Sequence, residues 1–434
     1  MNMHATPSTG FGLNPNDELN DLRMSDKARP LYDHVRKFLK ETVAPVQVEY
    51  EAAGKGKTDR WSFTDKQLEL LDKIKSKAKS EGLWNFFLPD SETGEGLSNL
   101  DYAFIAAELG KYPLGSESMN CSAPDTGNME VLERVGTKEQ KEKWLKPLLN
   151  GEIRSAYVMT EPNVASSDAK NVSTTAKLDG DEWVINGQKV WTSGAHYSDF
   201  GILLVRTDPK VPKHKGLTMF IVNMKQKGVE ARPIHQASGG REFNEVYFTD
   251  VRIPDSDRLG EVGAGWKVAL VTLMNERLAV GGSPGPDWAE IMDYARQSGT
   301  LSDQAFREKL ADWYVAAQGY KLTKFRTQTA LSRGQTPGPE NSIGKIITAN
   351  HLQDICNSAI EMQDHYGIIT ESERMPADAI FQQSFMWAPG LRIAGGTDEI
   401  LKNIIAERVL GLPQDVRVDK DVPFDKIPTS GSRK

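Results

Sequence analysis

Two dense stretches of the chain hold residue types that can do chemistry. The first is APGLRIAGGTDEILKNIIAERVLG, Ala388 to Gly411, where two glycines, a threonine and two acids precede an apolar-periodic run. Two readings are open for it. Thr397 can cap a helix whose positive end faces Asp398 and Glu399, or the loop is catalytic and one of its acids moves a proton. The second stretch is AYVMTEPNVASSDAKNVSTTAKLDGDEWVINGQKVWTSGA, Ala156 to Ala195. Its TEPNVASSD segment packs small hydroxyl residues into a loop, which suits a carbonyl-rich ring or a pyrophosphate. In VWTSGA a flat cofactor can stack on Trp191 while Ser193 reaches a ring edge. Taken one at a time, the plain alternative is an ordinary turn and a core tryptophan. Their junction through a single β-rich segment favours a binding site.

Other chemistries are excluded by what the chain lacks. Two cysteines, Cys121 and Cys356, offer neither a disulfide framework nor a metal spacing, and the seven histidines do not pair at ligand distance in sequence. No metal is therefore expected. GEVGAG after Leu259 is not the G-x-G-x-x-G of a strand-turn-helix dinucleotide site, and there is no P-loop or G-x-S-x-G. A net charge of -7 argues against nucleic acid as the main partner. No apolar run approaches the roughly 20 residues of a membrane span. The opening MNMHATPSTGFGLNPNDELND carries no apolar or Arg-rich targeting pattern, so a cytoplasmic protein is expected.

The elements that must position these stretches follow from periodicity. A chain of 434 residues can build two or three domains with real cores. Residues 1–25 read as an extended N-terminal arm. Residues 26–152 read as a helical domain. There KARPLYDHVRKFLKETVAP, FTDKQLELLDKIKSKAKSEGLW, LDYAFIAAELGKYPLG and GTKEQKEKWLKPLLNGE each repeat an apolar stripe. Residues 153–262 are β-rich, with strands expected at GILLVRT, LTMFIVNM, VEARPIH and EVYFTDVRIP, and a hairpin turn at Asn186-Gly187. Short strands at this spacing suggest a small barrel or two packed sheets. Residues 263–412 are helical again, from GWKVALVTLMNERLAVGG through PENSIGKIITANHLQDICNSAIEMQDHYG to the final run. Residues 413–434 read as a flexible tail. The fold class is α+β.

The motifs YVMTEPNVASSD, WVINGQKVWTSGA, FTDVRIP, GAGWKVALVTLMNER and GGTDEILKNIIAERVLG occur together and in this order. In that combination the chain resembles the acyl-CoA dehydrogenase family over most of residues 120–412. The segment NCSAPDTGNMEVL, Asn120 to Leu132, is similar in particular to the branch active on longer or 4-hydroxylated acyl chains. The resemblance implies an N-terminal helical domain, a middle β-barrel domain and a C-terminal four-helix bundle. It also implies FAD as cofactor. Carried over residue by residue, Tyr157, Met159 and Thr160 would line the isoalloxazine. Ala165 and Ser166 would approach the pyrophosphate, Trp191 would cover one ring face, and Ser193 would hydrogen-bond near N5. Gln363 and Arg296 would serve the FAD of a neighbouring subunit, although the family's arginine-phenylalanine-glycine contact is replaced by YARQSGTLSD around Arg296. Gly396 and Thr397 would abut the cofactor, and Ser166 and Arg277 the substrate.

The implied reaction is α,β-dehydrogenation of an acyl-CoA thioester to the trans-2-enoyl-CoA, as in fatty acid β-oxidation. The common family pattern places the catalytic glutamate directly before Gly-Thr, where this chain has Gly395. Isovaleryl-CoA and long-chain acyl-CoA dehydrogenases instead carry it on another helix before an arginine, and this chain has Glu276-Arg277 there. Glu276 is accordingly the expected base, with Asp398 and Glu399 explained as cap and dipole residues. The expected partners are an electron-transfer flavoprotein and further copies of the chain, as a dimer or homotetramer. An acyl-CoA oxidase-like enzyme and a catalytically silent flavoprotein on the same fold are the alternatives.

Overall fold

The computed structural model describes residues 23–55, 61–88, 94–279, 285–335, 338–371, 375, 379–414, 416–417, 419 and 421–427, with the side chains of 166–167 and 273–279 outside the description. The main helices are α1 (Ala28–Phe38), α2 (Ala44–Gly54), α3 (Asp65–Ser80), α4 (Asn99–Leu109), α5 (Asp125–Val135), α6 (Gly265–Ala279), α7 (Trp288–Ser298), α8 (Gln304–Ser332), α9 (Ser342–Glu361), α10 (Ile380–Leu391) and α11 (Asp398–Arg408). The strands are β1 (Ser155–Val158), β2 (Thr175–Asp179), β3 (Glu182–Ser193), β4 (Phe200–Arg206), β5 (Leu217–Asn223), β6 (Val229–Pro233), β7 (Phe243–Pro254) and β8 (Arg258–Leu259). The chain forms two compact units.

One unit comprises Lys37–Gly96, Tyr112–Val280 and Asp415–Lys434. Its sheet runs in the order β6-β7-β3-β2-β4-β5-β8, with β1 parallel to β4. Every residue of β4 is buried, because alternate side chains enter two different cores. Leu203 and Val205 share a buried cluster with Phe220, Trp183 and Phe248 on one face. Phe200, Ile202 and Leu204 meet Leu132 of α5 and Val268 of α6 on the other face. Gly265 opens α6 against β5, where an added Cβ would lie 2.6 Å from the Thr218 backbone.

The expected hairpin at Asn186-Gly187 is corrected. β3 runs straight through it, and the turn lies at Gly180-Asp181, between the paired residues Asp179 and Glu182. Gly180 takes φ +68, which suits such a turn. Asn186 instead faces a bulge in β7. Its amide exchanges hydrogen bonds with Asp250, Nδ2 donating to Oδ1 at 3.0 Å and Oδ1 accepting from the Asp250 N–H at 2.9 Å. Gly187 is needed because an added Cβ would sit 2.5 Å from Thr174 Oγ1.

The other unit comprises Met1–Arg36, Leu97–Lys111 and Gly281–Gln414. Ile291, Phe306, Trp313, Ile355 and Phe381 from α7–α10 form its core. Here α4 joins α8, with Phe104 and Phe325 5.4 Å apart and the Leu100 N–H donating to Ser332 Oγ at 3.1 Å. Among the described residues, no helix is long and apolar enough to cross a membrane.

The tail is also corrected over Asp421–Ile427. Pro423 pairs with Pro212, the Phe424 N–H donates to Val211 O at 3.0 Å, and Phe424 is buried. An apolar ring in a polar segment found a buried seat that its flanking charges concealed.

Candidate functional site

The loop after β1 is held by a buried ion pair. Lys189 of β3 is fully buried, and its Nζ donates to Met159 O at 2.9 Å, Leu204 O at 2.6 Å and Glu161 Oε1 at 2.8 Å. Glu161 also accepts from the Ser173 N–H at 2.6 Å and the Thr174 N–H at 2.8 Å. Burial alone would raise the Glu161 carboxyl, but Lys189 and these donors hold it below the usual range. Next to this pair, the Val190 N–H donates to Thr160 O at 2.8 Å. The carbonyls of Met159 and Thr160 are thus committed to β3. The Thr160 side chain is half-buried.

A register shift then turns β3. Lys189 pairs with Val246 and Thr192 with Asn244, so β3 carries one extra residue against β7. Trp191 sits at that bulge with φ +60 and is 54% exposed. A bulky residue in the left-handed region is costly, and such strain concentrates at functional positions. The indole touches Phe243 edge-on at 6.0 Å. Thr192 is buried with its hydroxyl unpartnered, and Ser193 is half-buried. Tyr157 lies on β1 with its hydroxyl 3.9 Å from Met159 Sδ. Ala165 is exposed at the start of a 3-10 segment, Ser166–Asn171. An exposed indole, a nearby hydroxyl pair and an exposed turn on one β-rich unit fit a flat conjugated ring carrying phosphates.

The β1 loop is anchored on its other side by residues the motifs did not reveal. Arg154 Nε pairs with buried Asp125 of α5 at 2.7 Å, and Asp125 accepts from the Ser155 N–H at 2.8 Å. Asn128 Nδ2 donates to Ala156 O at 3.1 Å. Trp61 Nε1 donates to Asn244 Oδ1 at 2.8 Å, bracing β7 opposite Thr192. For Lys189 a signal existed. The odd-numbered positions that bury Trp183 and Ile185 run on to it, and a lysine at an inward position calls for an acid. The other three pairings join segments far apart in sequence, and no local pattern marks them.

Glu276 and Arg277 lie on α6; their side chains fall outside the described residues. Thr272, one turn earlier, is buried with its hydroxyl unpartnered among the described residues, and its Cγ2 is 3.4 Å from where a Cβ on Gly127 of α5 would lie. Residues 281 and 282 are outside the description. Gly285 packs tightly, since an added Cβ would lie 2.8 Å from Leu352 Cδ1.

The other unit holds the remaining candidates. Gln363 is buried; its Oε1 accepts from Gln382 Nε2 at 2.5 Å, and its own Nε2 has no partner among the described residues. Beside it Tyr366 and Ile368 are exposed. Arg296 is exposed and pairs with Asp293 one turn away at 2.8 Å. Thr397 caps α11, its hydroxyl accepting from the Ile400 N–H at 3.2 Å. Asp398 is buried between Arg392 Nε at 2.6 Å and Lys345 Nζ at 3.4 Å, and that lysine also donates to Gly396 O at 2.7 Å. Gly395 and Gly396 both take positive φ, +65 and +95. The GGTDE stretch is therefore a clamped helix start. Asp398 belongs to the clamp, and Glu399 is exposed. Among the described residues, no His, Cys, Asp and Glu cluster suits a metal.

Comparison with known proteins agrees with this arrangement. Residues 25–152 match the acyl-CoA dehydrogenase N-terminal domain, residues 156–251 the middle domain and residues 263–410 the C-terminal domain. The chain is 40% identical over 416 residues to acyl-CoA dehydrogenase family member 11 of Mus musculus, covering 89% of this chain and 51% of that protein. Acyl-CoA dehydrogenase family member 10 of Mus musculus is 33% identical over 422 residues, covering 89% of this chain and 37% of its own length. The chain thus spans about half the length, or less, of these curated relatives. A solved Mycobacterium abscessus structure assigned to the acyl-CoA dehydrogenases superposes with a TM-score of 0.75 at 33% identity, covering 89% of this chain and 98% of that one. The chain belongs to the acyl-CoA dehydrogenase family, and FAD is the cofactor that goes with it.

Proposed function

We propose that the protein dehydrogenates an acyl-CoA thioester between its α and β carbons, giving the trans-2-enoyl-CoA. The observation that carries this reading is Trp191, held exposed by a strained bulge beside the braced Met159-Thr160 loop in a chain of this family. When bound, FAD would supply the two-electron acceptor for the hydrogen that leaves the β carbon as hydride.

The chain's residues do the rest. Glu276 removes the pro-R α-proton, in a site where lost solvation strengthens the carboxylate as a base. Trp191 would cover a ring face, Ser193 and Thr160 would contribute hydroxyls at its edge, and Tyr157 and Met159 would back it. Ala165 and Ser166 meet the pyrophosphate, and Ser166 and Arg277 the thioester substrate. By the family resemblance Gly396 and Thr397 would meet a cofactor, and Gln363 and Arg296 would serve that of a second copy. The buried Nε2 of Gln363, without a partner among the described residues, and the exposed Tyr366 and Ile368 a few positions later support that last role. A homo-oligomer follows, and an electron-transfer flavoprotein is the proposed acceptor. The division into domains at residues 26–152, 153–262 and 263–412 is part of the same reading.

A panel of acyl-CoA thioesters added anaerobically tests it. Bleaching of the flavin band by one of them, with slow reoxidation in air, is the expected result. Fast reoxidation would assign an oxidase. No bleaching by any thioester would leave a silent flavoprotein, which Gly395 at the family's usual base position favours. A purified protein that takes up no FAD would end the assignment.

A further inference from the structure

The Ser166–Asn171 segment is held in part by residues distant from it in sequence. Arg206, buried at the end of β4, donates from Nη2 to Lys170 O at 2.7 Å, from Nε to Val172 O at 2.9 Å and from Nη1 to Lys213 O at 3.0 Å. Lys213 Nζ in turn pairs with Asp168 Oδ2 at 2.6 Å. Both cations are closed off by the C-terminal tail. The Phe424 ring lies over the Arg206 guanidinium, 3.5 Å from its Cζ, and Asp419 binds the second side of Lys213 Nζ. Backbone bonds from Phe424 to Val211 and from Asp425 to Pro209, at 3.0 Å each, fix the tail there.

We propose that the tail around Asp419 and Phe424 is a strap that positions the Ser166–Asn171 segment for the cofactor, acting through Lys213 and Arg206. This rests on the reading that Ala165 and Ser166 meet the FAD pyrophosphate. Without Asp419, Lys213 keeps one acidic partner and gains rotational freedom. Without the Phe424 ring, water reaches a guanidinium whose donors hold the segment's carbonyls, and those hydrogen bonds weaken. Asp419, Phe424, Lys213 and Arg206 are positioning residues. They need not touch the cofactor for their loss to be felt there.

The test uses the full chain stripped of FAD and titrated with it. Asp419→Asn and Phe424→Ala are each expected to weaken FAD binding about tenfold, the effect of losing one charge-assisted contact. They are also expected to speed amide exchange in residues 166–171 of the FAD-free protein, while exchange elsewhere on β4 and β5 stays as it was. Phe424→Leu, which keeps the apolar seat without the ring face, tests folding separately; it is expected to fold normally and still loosen the segment. Unchanged exchange in residues 166–171 in all three variants would overturn the strap. Faster exchange with unchanged FAD affinity would confirm the mechanical link but refute the pyrophosphate reading, and with it the cofactor role proposed for the strap.

Discussion

Lys189 Nζ and Glu161 Oε1 lie 2.8 Å apart, with side chains 0% and 3% exposed, and the lysine also holds the Met159 carbonyl of the loop after β1. Two buried charges gain from each other only when every remaining donor and acceptor is satisfied. Here Lys189 also reaches two carbonyls, and Glu161 also takes two backbone N–H groups. The pair therefore fixes where Met159 and Thr160 sit relative to β3. Lys189→Met leaves Glu161 buried without its counter-charge and should cost about 3–5 kcal/mol. The double variant Lys189→Met with Glu161→Gln should recover part of that loss. Denaturant unfolding of the four proteins checks the coupling, and a fully additive result would deny it.

Glu276→Gln should abolish flavin bleaching by any thioester while FAD stays bound. The amide preserves shape and hydrogen bonding but cannot accept the α-proton. Substantial turnover in that variant would remove Glu276 as the base.

Asp398→Asn should behave in the opposite way. Its carboxylate faces Arg392 and Lys345 and is buried, so the substitution should destabilise by about 2–3 kcal/mol. The folded fraction should still be bleached by substrate, because the residue holds a helix start and does not move a proton. A variant that folds normally but is never bleached would reverse this assignment.

Stability should fall as pH rises through the range set by Glu130 of α5. Burial pushes its carboxyl up from 4.5 to about 7, against the opposing pull of Arg134. Between those two values the folded chain binds more protons than the unfolded one, so raising pH favours unfolding. Glu130→Gln should flatten that part of the profile, with a gain of about 3 kcal/mol at pH 8. A parallel pH profile in the variant would show that Glu130 does not titrate in this window.

Two glycines should respond differently to a side chain. Gly395 has φ +65 and no atom within 4 Å of an added Cβ, so Gly395→Glu should cost only the backbone strain, about 1 kcal/mol. Gly187→Ala must also clear Thr174 Oγ1 at 2.5 Å, which should raise the cost above about 2 kcal/mol. Thermal unfolding of the pair checks the order.

Much of this was legible in the chain. The 3.6-residue periodicity of GWKVALVTLMNERLA and SIGKIITANHLQDICNSAIE predicts α6 and α9, and Thr397 caps α11 as its position suggested. The alternation in EVYFTDVRIP predicts β7. The ordered motifs around Trp191 and the last helix were enough to identify the family. These are local signals, because backbone period and cap chemistry depend on residues within one turn or one pleat.

Asn186-Gly187 shows where local reading stopped. The dipeptide has the chemistry of a turn, yet its place opposite Asp250 on β7 makes it part of a strand. Tertiary structure alone decided that pairing, the one-residue slip that turns Trp191 outward, the seat of Phe424 on Arg206, and the union of α4 with α8. A strand's sequence states its period but not its register, and a slip of one residue exchanges the buried face for the exposed one. Which partner fills a buried polar position is set by residues distant in the chain, and they meet only when the fold has formed.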